Sequence, residues 1–324
     1  MRQKLKSIFR LKTVGISIFS LTLVSLIITI LYRFAPYFGR YFFKPSPKHY
    51  GEIALNTIHL QALYATGDSW EKKYKILHSK IKSCRTYEET LPFISEALKA
   101  GGGNHSFLMK PDMGKTSKMP MEYPRIDTKD DYLYINIPRF SGTPEECQKF
   151  KDIIESSLLN KSFENVIIDL RENSGGNMGP MITGLTSLLN DGHLISFVMK
   201  DHSEFKVNIE DGEIRNAGTP TTVKHRKFVR VNKIAVLISG RTASSGEIIA
   251  ISFDGVPNTK IFGEKSAGFT TSNNTVTLYD GVMLNITTSK LKTRTGKIYE
   301  NNPIVPDVET SHPYEDAVEW FKTV

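Results

Sequence analysis

VIIDLRENSGG (Val166–Gly176) and LISGRTASSGE (Leu237–Glu247) are the two stretches whose reading decides the fold. Each opens with an unbroken apolar run and passes through small polar residues, and the chain then resumes a helical pattern. Four or five apolar residues in a row, without alternation, describe a strand buried on both faces, as in parallel sheets covered by helices. The turn after such a strand can leave backbone N–H groups aimed at open space, a setting suited to a negatively charged oxygen.

Outward from these stretches the grammar stays α/β. Strands are expected at Tyr132–Ile137, Ile195–Met199 and Lys260–Phe262, and helices at Glu145–Leu159, Pro180–Leu189 and Ser245–Phe253. Phe205–Ile209 with Glu213–Arg215, and Thr275–Tyr279 with Val282–Thr287, flank Asp-Gly pairs and read as hairpins. Upstream, Ile53, Leu60 and Leu63, then Trp70, Tyr74, Leu77 and Ile81, then Leu91, Ile94 and Leu98 recur at helical spacing. Asp68 or Ser69 and Thr86 are candidate N-caps, Gly101-Gly102-Gly103 ends the last helix, and 110–130 reads as a loop or short hairpin. The organisation is therefore a basic segment (1–13), an apolar span (14–32), a helical region (45–100), a histidine-bearing segment with a cap-like loop (101–131) and an α/β core (132–324).

Charge is unevenly spread. The chain has 42 Lys/Arg and 34 Asp/Glu, yet nine of the bases and none of the acids precede His49. The remainder, with 33 bases against 34 acids, offers no basic nucleic-acid face. From Val14 to Tyr32 no residue is charged, and 19 helical residues nearly cross a hydrocarbon layer of roughly 30 Å. Five bases ahead of the span favour a cytoplasmic N-terminus and an extracellular remainder, a single-pass anchor in the cell membrane. The competing reading is a cleaved signal peptide, but the residues that follow, LYRFAPYFGRYFF, are bulky rather than small.

Several chemistries are set aside. Cys84 and Cys147 build no disulfide framework, and whether they pair is left open. No His-x-x-x-His or Cys-x-x-Cys pair suggests a metal, so no metal or cofactor is expected. Gly114-Lys115-Thr116 lacks the earlier glycine of a phosphate loop, and Ser-x-x-Lys recurs without its companion elements. Thr242 stands where a Gly-x-Ser-x-Gly elbow would need glycine.

Three segments stay chemically suggestive: Gly103-Asn104-His105-Ser106-Phe107 and the two strand-to-turn stretches. IIDLRENSGG (Ile167–Gly176), TASSGE (Thr242–Glu247), GEKSAG (Gly263–Gly268) and PIVPD (Pro303–Asp307) together resemble the S41 serine peptidases, over roughly Gly101 to Val308. The resemblance implies a crotonase/ClpP-like α/β core. Tail-specific members carry a general-base lysine where this chain has Phe269, and no room exists for a PDZ domain. The chain is more similar to the tricorn-like branch, which uses serine, histidine and a carboxylate. Within S41 it resembles the anchored nisin-resistance group, whose T-A-S-S-A-E-M reads here with Gly246 and Ile248.

That resemblance assigns Ser244 as nucleophile, His105 as base and Glu300 as the orienting carboxylate, leaving a dyad or a triad open. The oxyanion hole would be Ser245 N–H with Gly175 or Gly176 N–H, and Asn177 and Met178 would line the substrate groove. It implies a membrane-anchored extracellular peptidase that cleaves a lantibiotic such as nisin near its C-terminus. Alternatives are a general surface peptidase acting on envelope proteins or signal peptides, and a non-catalytic ligand-binding relative. Oligomeric state is not legible.

Overall fold

The computed structural model describes residues 20–111, 121–129, 131–159, 163–215, 221 and 227–323. The basic segment, the start of the apolar span and residues 112–120 of the cap-like loop, with Gly114-Lys115-Thr116 among them, lie outside them. In chain order the elements are α1 (Ser20–Tyr37), α2 (Pro47–Gln61), α3 (Gly67–Ile81), α4 (Tyr87–Gly102) and β1 (Phe107–Met109). Then come β2 (Arg125–Thr128), β3 (Tyr132–Asn136), α5 (Pro144–Leu159), β4 (Asn165–Asp169) and α6 (Met178–Leu185). They are followed by β5 (Gly192–Met199), β6 (Glu204–Glu210), β7 (Glu213–Arg215), β8 (Lys233–Ile238) and α7 (Ser245–Ser252). The last are β9 (Thr259–Gly263), β10 (Thr271–Thr277), β11 (Met283–Thr293), β12 (Ile298–Tyr299), β13 (Val308–Glu309) and α8 (Pro313–Phe321).

The chain divides into two compact units that do not follow its linear order. The smaller takes residues 1–101 together with Phe107–Met113 and Thr275–Ile286; the larger takes Gly102–Ser106, Gly114–Asn274 and Thr287–Val324. The hairpin at Asp280-Gly281 thus belongs with the helices rather than with the α/β core.

In the smaller unit, Tyr50, Ile53, Leu77, Ile81, Ile94 and Leu98 from α2–α4 pack with Leu278, Leu284 and Ile286. Ser46 caps α2 through the His49 N–H, and Thr86 caps the start of α4 through the Glu89 N–H at 3.2 Å. The expected cap at Asp68 or Ser69 is displaced: α3 begins at Gly67, after Thr66. Among the described helices only α1 is long and apolar enough to cross a membrane, and its Leu21, Val24 and Leu26 are exposed.

The larger unit is built on a six-stranded sheet, β13-β9-β8-β4-β3-β2, parallel except for β2. Alternation along β4 and β8 explains why their sequences are apolar without a break. Val166, Ile168, Val236 and Ile238 join a core with α5, α6 and α7, whereas Ile167, Ala235 and Leu237 meet Ala317 and Phe321 of α8. Helix α8 was not anticipated, although Pro313 at its first turn and Glu315 and Asp316 behind it are ordinary start signals. Strands β5, β6 and β7 form an antiparallel run whose Leu194, Ile195, Val207 and Ile209 enter the main core. The parallel strands β4 and β8 both end on one side of the sheet, where ligand sites of such sheets collect.

Candidate active site

Three turns meet beyond the ends of β4 and β8, and Asn173 ties them together. This fully buried side chain accepts the Gly175 N–H at 3.0 Å and donates to the carbonyls of Ile137 and Pro138 at 3.2 and 3.3 Å. Its backbone carbonyl accepts the Ala243 N–H at 3.0 Å. Gly175 and Gly176 have φ of 108° and 116°, a region reserved for glycine, and a Cβ at Gly176 would lie 1.9 Å from the Phe140 carbonyl oxygen. The Ser245 hydroxyl donates to the Gly176 carbonyl at 2.6 Å and fastens the glycine turn to α7.

Ser244 sits between β8 and α7 at φ 53°, ψ −116°. A non-glycine residue in that region is strained by about 1–3 kcal/mol and persists only where its surroundings hold it. The hold is Glu247. Fully buried, it accepts the Ser244 N–H at 2.8 Å, the Gly268 N–H at 2.8 Å and the Ser266 hydroxyl at 2.5 Å. Burial pushes its carboxyl above the usual range, while hydrogen bonds from Ser266 and from the Ser244, Gly268 and Phe269 N–H groups oppose that rise. Gly246, where the nisin-resistance pattern has alanine, follows from close approach: a Cβ there would come within 2.4 Å of the Asn173 carbonyl oxygen.

His105 closes the short 3₁₀ turn Gly103–His105 that follows α4. Its ring stacks on Phe269 with centroids 4.9 Å apart and planes at 15°, so the position of the tail-specific lysine holds an aromatic wall for the imidazole. Nδ1 lies 3.0 Å from Thr271 Oγ1. His105 and Ser244 belong to the same compact unit and are linked by contacts: Ser244 to Glu247, Glu247 to the Gly268-Phe269 backbone, and Phe269 to the imidazole.

Desolvation depresses the His105 pKa to about 4, against a smaller opposing contribution from a hydrogen bond to the Thr271 backbone. The ring therefore keeps a neutral lone pair well below pH 6.5, the ordinary histidine value. We expect kcat/KM for peptide cleavage to stay level as pH falls from about 7 to about 5; a midpoint near the ordinary histidine value would contradict this. The same depression means that the folded chain binds this proton more weakly than the unfolded chain. The stability it contributes is present above pH 6.5 and is lost as pH falls through about 4.

Other expected site residues fall differently. Glu300 is not against the imidazole: its Oε2 pairs with Lys290 Nζ at 2.7 Å. Glu300 lies just past the end of β12, whose Tyr299 packs into the core. Gly175 offers no oxyanion donor, because its N–H is taken by Asn173. The N–H groups of Gly176 and Ser245 have no acceptor among the described residues. Asn177 caps α6, accepting the Gly179 N–H at 3.2 Å and reaching Cys147 Sγ at 3.5 Å, and Met178 packs on the main core. An open cavity of about 560 Å³ adjoins the glycine turn, with Phe140, Ser141, Glu172, Ser174, Arg125 and Arg139 on its walls. Asn173 shows in the sequence only as the asparagine inside the quoted turn and Phe269 only as the residue in place of a lysine, while Thr271 carries no signal at all. No group of three or more His, Cys, Asp or Glu suited to a metal occurs among the described residues.

Residues 131–310, more than half of the chain, match the family model for peptidase family S41. The chain belongs to that family. This S41 peptidase is 37% identical over 300 residues, 92% of its own length and 94% of the relative's, to the nisin-resistance protein of Lactococcus lactis subsp. lactis. It is 29% identical to the carboxy-terminal processing protease CtpA of Bacillus subtilis, covering 70% of this chain and 46% of that one. A solved lipoprotein structure from Streptococcus agalactiae superposes with a TM-score of 0.77 at 32% identity, covering 87% of this chain and 98% of that one. The photosystem II D1 C-terminal processing protease shares the fold at a TM-score of 0.57 and 13% identity, over 83% of this chain and 94% of that one. The S41 peptidase is accordingly a serine peptidase with an α/β protease core and a helical N-terminal region.

Proposed function

We propose that this S41 peptidase is a membrane-tethered enzyme that inactivates a lantibiotic of the nisin type by cutting it near its C-terminus. The observation that carries the reading is the strained backbone of Ser244, held between β8 and α7 by the buried carboxylate of Glu247. Support for the substrate comes from the Lactococcus relative, whose match extends well beyond the S41 segment.

In this reading His105 takes the Ser244 hydroxyl proton as Oγ attacks the scissile carbonyl, since a serine hydroxyl is a weak nucleophile without a base. The tetrahedral oxyanion is received by the Ser245 and Gly176 N–H groups, preorganised by the Asn173 network. Removing such a donor typically costs a factor of about 10²–10³ in turnover. His105 then returns the proton to the leaving amine. Peptide lies along the cavity beside Ser174, and α1 keeps the enzyme at the surface where a membrane-active peptide arrives.

The test is mass analysis of nisin after incubation with the full chain in detergent, beside an unrelated linear peptide of matched length. A single cut in nisin's C-terminal part, with the linear peptide spared, supports the proposal. Equal cutting of both indicates a general envelope peptidase, and no cutting of either indicates a binding protein.

A further inference from the structure

The groups that meet the His105 imidazole at Thr271 and Phe269 are uncharged. Thr271 is buried, and its hydroxyl donates its one proton to Asn301 Oδ1 at 3.2 Å. The 3.0 Å contact between that hydroxyl and the imidazole must then be made by Nδ1–H donating to Thr271 Oγ1. A proton on Nδ1 leaves the lone pair on Nε2. Asn301 lies in the left-handed region at φ 52°, which asparagine tolerates better than most residues. Its neighbour Asn302 is clamped to the residue just before β10: Thr270 Oγ1 donates to the Asn302 carbonyl at 2.8 Å and accepts its N–H at 3.3 Å.

The backbone of His105 is held from that strand as well. Asn273 Nδ2 donates to the His105 carbonyl at 3.2 Å, and Asn273 Oδ1 accepts the Thr287 hydroxyl at 2.9 Å. The Ser106 hydroxyl accepts the Thr287 N–H at 2.8 Å. Thr271 and Asn273 are two apart on β10 and so project from one face, the first gripping the ring and the second the main chain. Gly102 leaves the room this requires, because a Cβ there would meet Ser106 Oγ at 1.9 Å.

We propose that Thr271 and Asn301 are positioning residues forming a neutral relay that sets the tautomer of His105, at the place where Ser-His-Asp enzymes put a carboxylate. The inference rests on His105 being the base. The charged groups close by are the Glu300–Lys290 pair, adjoining Asn301 in sequence, and Glu247, behind the Phe269 backbone. None of them is among the causes of the imidazole's depressed pKa.

The experiment is nitrogen-15 NMR of the imidazole in the full chain in detergent, paired with pH profiles of nisin cleavage. Wild type is expected to hold its proton on Nδ1. Thr271→Val should lose that preference and about 3- to 10-fold in kcat, the scale of one hydrogen bond, and Thr271→Ser should restore both. Asn301→Asp, nearly isosteric, places a carboxylate behind the relay. It should raise the imidazole midpoint, and with it the acid limb of kcat/KM, by about one to three pH units. A wild-type proton on Nε2, or an Asn301→Asp midpoint that does not move, overturns the relay. The NMR readings need no turnover, so the relay can fail while Ser244-dependent cleavage stands, and cleavage can fail while the tautomer is as expected.

Discussion

Ser244→Ala is expected to lower peptide hydrolysis by roughly 10⁴- to 10⁶-fold, the scale seen when a serine nucleophile is removed from a preorganised site. The fold should not notice. The contacts that place residue 244 run through its N–H to Glu247 and through its carbonyl to the Ile248 N–H, and alanine keeps both. Alanine also inherits the same strained φ, so the strain neither grows nor relaxes. The comparison is single-turnover cleavage of nisin by wild type and variant, with thermal denaturation run in parallel. Hydrolysis within tenfold of wild type would remove Ser244 from the chemistry.

The largest effect on stability is expected from Glu247→Gln. Both carboxylate oxygens face donors: the Ser244 N–H on one side, the Gly268 N–H and Ser266 hydroxyl on the other. The Ser266 hydroxyl oxygen already accepts the Ile304 N–H at 2.7 Å, so its proton is committed to Glu247. A carboxamide matches one side only and sets an N–H against an N–H on the other. The expected loss is about 2–4 kcal/mol, that of breaking a buried charged hydrogen-bond network, read as a lower unfolding midpoint. Turnover should fall too, because Ser244 is then no longer held in its strained conformation. The sign with pH follows from the raised carboxyl. The folded chain grips this proton more tightly than the unfolded one, so the contribution of Glu247 is greatest in acid and declines as pH rises. An unchanged midpoint would show that the elbow is maintained by something else.

What was legible in the sequence was what depends on local pattern. Val166–Leu170 and Ile234–Ile238 declare themselves because both faces are buried, and the Asp-Gly hairpins because two residues suffice to make the turn. The turn at Ser244 was visible for the same reason: its serines, glycine and glutamate are contiguous. The histidine's surroundings were not, because Phe269, Thr271 and Asn301 reach it across more than 160 positions of sequence. Glu300 stands out as a carboxylate near a family motif, but its ion pair with Lys290 of β11 is a tertiary contact that the residue itself does not announce. The capping role of Asn177 was not legible, because only the start of the next helix at Met178 shows that this side chain accepts the Gly179 N–H.

The division of the chain has a consequence for heredity as well as for mechanics. The imidazole rides on Gly102–Ser106, a short insertion of the larger unit flanked on both sides by residues of the smaller, while the hydroxyl belongs to the sheet. The 131–310 segment by which the family is recognised carries the hydroxyl and lacks the imidazole. Transfer of that segment alone would therefore carry the hydroxyl away from the imidazole that the Gly102–Ser106 stretch supplies.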